Sequence, residues 1–146
     1  MTKKHIILIA IILWVAFIFF NSLQIGTISG AMSGNITQWL ASVISKIGIE
    51  VDAIVLSTWV RKGAHAREFF ILGLLLLLYQ YQLAITFKWR LIHVAIFGLL
   101  VAVLDETIQT FVPGRSGSLV DVLIDLIGIT FACSVGLFSA MRNKRQ

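Results

Sequence analysis

Four apolar runs, at residues 5–22, 64–87, 91–111 and 119–141, govern what this chain can become. Each is close to the ~20 residues a helix needs to cross ~30 Å of hydrocarbon. A helix also satisfies its own backbone groups where no water can. The rest of the composition agrees. The chain is 58% hydrophobic and 13% charged, with a mean hydropathy of +0.94, against roughly a quarter charged residues in a soluble domain. Lipid is the expected solvent for most of its surface.

The first run follows Met1-Thr2-Lys3-Lys4 and also fits a signal peptide. Its apolar core is long for that, and the small residues near 29–31 make a poor cleavage site, so retention as a helix is expected. The net charge is +5, from 12 Lys+Arg and 7 Asp+Glu. These cations flank apolar runs and form no patch interleaved with aromatics, so no nucleic-acid partner is expected. The lone Cys133 excludes an intrachain disulfide and reads as a small buried hydrophobe.

Orientation follows from the basic residues. Lys3 and Lys4, then Lys88 and Arg90, then Arg142, Lys144 and Arg145 fall on one side of an even number of spans. The positive-inside rule makes that side the cytoplasm, with both termini inside. Residues 21–60 and 112–118 are then outside. Within the first of these stretches, Ile36, Trp39, Leu40, Val43, Ile44 and Ile47 repeat at helical spacing, with Thr37, Gln38, Ser42 and Lys46 opposite. This predicts a helix at about 35–49, preceded by Gly30 and Gly34 as breakers. Its stripe could lie in the outer interface with Trp39 at headgroup level, or pack on the bundle. The expected fold is an all-α membrane protein, a four-transmembrane-helix bundle with an extracytoplasmic interfacial helix between helices one and two.

Three polar stripes interrupt the hydropathy. Arg61, His65 and Glu68 share one helix face, with Lys62 beside them. Asp105 and Gln109 lie one turn apart, flanked by Glu106. Ser118, Asp121, Asp125 and Gly128 form the third stripe, after a Pro-Gly turn that carries Arg115. Ser118 is a suitable N-cap for the fourth run, and Glu50 and Asp52 suit the start of the second helix. At ~1.5 Å rise per residue, Asp105 and Asp125 each lie roughly 9 Å inside the outer end of their spans. An ionised carboxylate facing lipid there costs about 3 kcal/mol on the most lenient scale. The stripes are therefore expected to face one another or a water-filled cavity. Such a set could serve as an ion-pair network that fixes helix register, or as a binding or acid/base site. Gly63, Gly73 and Gly128 read as close-packing positions.

The combination Arg61-Lys62-x-x-His65-x-x-Glu68, Asp105-Glu106-x-x-Gln109-x-Phe111-x-x-x-Arg115 and Ser118-x-x-Asp121 with Gly128 resembles the VanZ-like family of bacterial membrane proteins. The family usually has an aromatic residue after the His and a Tyr after the Glu, where this chain has Ala66 and Phe69; Arg67 is an added charge. The resemblance implies a small polytopic protein of the bacterial plasma membrane. The family takes its name from a member linked to low-level resistance to teicoplanin, a lipid-tailed glycopeptide antibiotic. It implies no agreed reaction.

Three functions follow as alternatives. In the first, an outer-leaflet polar pocket engages an amphiphile: a membrane lipid, a lipid-linked cell-wall intermediate or a lipoglycopeptide. Its ligand-binding candidates are Arg61, Lys62, His65, Glu68, Asp105, Glu106, Gln109, Arg115, Ser118, Asp121 and Asp125. In the second, a membrane enzyme modifies a lipid headgroup, with His65, Glu68, Asp105 or Asp121 as catalytic candidates. In the third, the chain is a structural accessory subunit held by ion pairs. Four helices are few for a pore, so transport would call for a homodimer. His65, Glu68, Asp121 and Asp125 offer metal donors, but at no diagnostic spacing, and neither metal nor cofactor is expected.

Overall fold

A computed structural model describes residues 2–143, apart from the side chains of residues 27–29, 31–33 and 143. Lys144 and Arg145, counted above among the cytoplasmic cations, lie outside the described residues. The regular elements among the described residues are five helices: α1 (Lys3–Ser22), α2 (Gly26–Ser45), α3 (Ala53–Gln80), α4 (Phe87–Thr110) and α5 (Leu119–Asn143). The expected all-α class holds. By length and composition, three segments could cross a membrane: α1, α4 and Leu119–Arg142. The helix expected as the second span, α3, is not among them, because Arg61, Lys62, Arg67 and Glu68 lower the hydropathy of its first sixteen residues.

Two boundaries differ from the sequence reading. The helix that carries the second apolar run begins at Ala53, just after Asp52 as expected, but ends at Gln80 rather than at residue 87. Asp52 sets its start: one carboxylate oxygen accepts the N–H groups of Ile54 and Val55 at 2.7 and 3.2 Å, satisfying two orphan donors at the positive helix end. After Gln80 the chain turns, although residues 83–87 are mostly apolar. Arg90 donates to the carbonyl of Leu83 at 3.4 Å and stacks 4.5 Å from the Tyr81 ring, which fixes the reversal into α4. Hydropathy alone cannot see such a turn.

The helix expected at 35–49 spans Gly26–Ser45 instead. Gly30 and Gly34 lie inside it. A glycine costs about 1 kcal/mol in a helix, which a long helix tolerates. The break comes later, at Gly48, with φ 79°. Trp39 is 64% and Ile36 53% exposed, while Thr37 is 5% exposed. Leu40 and Ile44 of the same stripe are half-buried, and Gln38, Ser42 and Lys46 opposite are exposed, so the apolar stripe straddles the edge between the bundle and the outside.

The short links at 81–86 and 111–118 make α3, α4 and α5 alternate in direction. Their closest approach is between α3 and α5. A Cβ on Gly128 would sit 2.2 Å from the Ala66 carbonyl oxygen, and one on Gly73 would sit 2.6 Å from the Ala132 Cβ. Small residues thus let backbones meet where lipid supplies no hydrophobic drive between helices. Gly63 meets nothing within 4 Å and is no packing position. Phe69, Leu72, Val94, Ala102 and Ile129 form the centre of the core, with Ile11 and Ile18 of α1 closing it. The opposite faces expose Leu100, Leu123, Phe131 and Phe138.

Candidate functional site

The alternating directions bring the three polar stripes to one end of the bundle. His65 on α3 places Nδ1 3.4 Å from an Asp125 oxygen on α5 and 3.9 Å from an Asp105 oxygen on α4. Asp105 and Asp125 are both wholly buried, and His65, Glu68, Glu106, Gln109 and Asp121 nearly so. Gln109 lies one turn beyond Asp105, so its amide reaches both acids of its own helix: Nε2 donates to Asp105 at 2.9 Å and to Glu106 at 3.1 Å. The other Glu106 oxygen accepts the backbone N–H of Ser118 at 2.7 Å. The Ser118 hydroxyl in turn accepts the Asp121 N–H at 3.4 Å, as an N-cap of α5.

Lys62 donates to Asp121 at 2.5 Å and links α3 to α5 beside this group. Glu68 stands on the other side and turns towards α1. Its carboxylate accepts the Asn21 amide at 3.0 Å, and its carbonyl accepts the Trp14 indole N–H at 2.9 Å. Ser22 donates its hydroxyl to Asp105. Arg115 donates to the carbonyls of Asn21 and Ser22 at 2.9 and 3.4 Å, covering the negative end of α1. The same turn is tied to α2 by the Gly26 N–H donating to the Pro113 carbonyl at 3.1 Å.

Sequence reasoning missed the contribution of α1. Asn21 and Ser22 read as an extension of an apolar run, yet they supply donors to two buried acids. The available signal was a pair of small polar residues at the same end of the bundle as the stripes. Arg67 was also left outside the candidate set. It joins Arg61, Arg115, His65 and Glu68 around a cavity of about 240 Å³, whose remaining lining includes Phe17, Ile36 and Val60. A second cavity of about 180 Å³ lies on the far side of Arg61 and Arg115, against Gly26, Ser57 and Thr58. Among the described residues, none of these three arginines forms a salt bridge. Burial lowers the affinity of the Arg115 guanidinium for its proton, Asp105 opposes that shift, and Arg61 adds to it by like-charge repulsion.

Chemically, the end of the bundle therefore holds two adjoining features. One is a group of buried acids around His65. The other is an open cavity lined by arginines as well as apolar side chains.

No curated protein and no solved structure matches this chain significantly. The VanZ/LLP1 family profile matches residues 7–140, which takes in all three polar stripes and every helix in whole or in large part. The chain belongs to the VanZ/LLP1 family.

Proposed function

We propose that this membrane protein binds the anionic headgroup of an amphiphile in the cavity between α1, α2 and α3. The single observation that carries the reading is the cavity lining. Arg61, Arg67 and Arg115 present cationic groups that no carboxylate neutralises within salt-bridge distance, in a lining shared with Phe17, Ile36 and Val60. Guanidinium forks match phosphate and carboxylate oxygens in pairs, and the apolar side chains suit the first carbons of a tail.

In this reading the chain sits in a bacterial plasma membrane with four spans, α1, α3, α4 and α5. The continuous apolar run 69–78 of α3, with Leu78 52% exposed, supports its role as a span. Both termini are cytoplasmic, and the exposed side of α2, with Trp39 and Val43, rests in the outer interface. The cavity then faces the outer leaflet. Its ligand is a membrane lipid, a lipid-linked cell-wall intermediate or a lipoglycopeptide such as teicoplanin, and its occupancy lowers susceptibility to that antibiotic.

Native mass spectrometry of the detergent-solubilised chain with a polyprenyl phosphate tests this. Saturable one-to-one binding is expected. Arg61→Gln and Arg115→Gln should each weaken it about tenfold, the loss of roughly one charge-assisted contact. Equal affinity in the wild type and both variants would contradict the reading. So would unchanged teicoplanin susceptibility on expression of the gene in a sensitive host, for the antibiotic part of it.

A further inference from the structure

The acids around His65 are short of positive charge. His65, Asp105, Glu106 and Asp125 each offer one ligand atom, and these four atoms lie within 4.8 Å of one another. Among the described residues, neither Lys nor Arg lies within salt-bridge distance of the three carboxylates. Lys62 is committed to Asp121, and Arg115 to backbone carbonyls of α1. One imidazole can offset only one of the three carboxylates, and buried charges of one sign are costly when left uncompensated.

Asp125 adds an independent observation. Its side chain is wholly buried at the centre of the group, yet neither of its oxygens has a hydrogen-bond partner, and nor has Nδ1 of His65. The 3.4 Å between them is an approach without hydrogen-bond alignment. The other two acids are held from behind. Ser22 and Gln109 fix Asp105, while Gln109 and the Ser118 N–H fix Glu106. Outer hydrogen bonds that orient ligand side chains towards a shared centre are the usual surroundings of a metal.

We propose that His65, Asp105, Glu106 and Asp125 form a binding site for one divalent transition-metal ion of the Zn²⁺ or Mn²⁺ kind. Three carboxylates supply the charge. The imidazole disfavours Ca²⁺ and Mg²⁺, which take oxygen ligands. Bonds of ~2.0–2.2 Å draw tetrahedral ligands to about 3.4 Å of one another, so side-chain shifts of roughly an ångström complete the shell. His65 also lines the larger cavity, which gives the ion a route in.

This site does not depend on the headgroup reading. A chain that takes Zn²⁺ but no polyprenyl phosphate upholds one and sinks the other. The full-length protein, purified without a histidine tag and stripped with chelator, is titrated in detergent with Zn²⁺, Mn²⁺, Ca²⁺ and Mg²⁺ by calorimetry. One equivalent of Zn²⁺ or Mn²⁺ per chain is expected, at least tenfold tighter than Ca²⁺ or Mg²⁺. Asp125→Asn and Glu106→Gln should each weaken it at least tenfold. Absence of saturable binding, or unchanged affinity in a folded variant, overturns the proposal. X-ray absorption of the wild-type zinc complex needs no variant: one imidazole with oxygen ligands supports the site, and a shell lacking imidazole overturns it.

Discussion

Gly128→Val is expected to abolish accumulation of the folded protein. The α3–α5 contact is the closest helix pairing in the bundle, and it closes on this glycine. Even a Cβ there would lie 2.2 Å from the Ala66 carbonyl oxygen and 2.9 Å from the Phe70 nitrogen. Both are backbone atoms of a long helix and cannot rotate aside. The two helices would have to separate, opening the core around Phe69 and Ile129 and pulling Asp125 away from His65. Overpacking of a tight core typically costs 1–3 kcal/mol, and a backbone clash belongs at or beyond the upper end. Gly63→Ala is the control. Gly63 lies on the same helix with nothing within 4 Å, so alanine should stabilise by about 0.5–1 kcal/mol through helix propensity. Size-exclusion profiles of a fluorescent fusion, heated in steps, check both. A monodisperse Gly128→Val protein with wild-type thermal stability would refute the packing account.

Gln109→Leu should be the most damaging change within the polar group itself. The Gln109 amide is buried and donates to Asp105 and Glu106 at once, so it separates two carboxylates of the same helix. Leucine has similar bulk and no donor. Each hydrogen bond to a charged group is worth ~1.5–3 kcal/mol, so loss of both should cost about 3 kcal/mol or more. In heated size-exclusion runs the variant should fall several degrees below wild type. Gln109→Asn shortens the side chain by one methylene, cannot reach both acids, and should fall between the two. A Gln109→Leu chain as stable as wild type would mean that the amide bridge contributes nothing.

The sequence made much of this legible, for identifiable reasons. Charges are expensive in lipid, so residues such as Asp105 and Asp125 had to turn inward, and helical spacing placed each stripe on one face. Their meeting at one end of α3, α4 and α5 followed from alternating helices with short links. Other features depended on contacts that periodicity does not encode. The turn after Gln80 rests on the Arg90–Tyr81 stack. Gly30 and Gly34 looked like breakers because each costs helix stability, yet α2 runs through both. Asn21 and Ser22 were invisible as partners because nothing in α1 announces which acids its end will touch. The four metal-capable donors come from three helices, so no linear spacing could mark them.

In the proposed orientation the cavity and the buried acids lie at the outer-leaflet end of the bundle. Labelling with a membrane-impermeant maleimide tests it in intact cells, in a Cys133→Ala background. Ser116→Cys reports the exposed loop between α4 and α5, beside the polar group, and Lys88→Cys reports the exposed start of α4 at the opposite end. The account predicts that Ser116→Cys is labelled in intact cells and Lys88→Cys only after permeabilisation. The reverse pattern would place the cavity on the cytoplasmic side and contradict it.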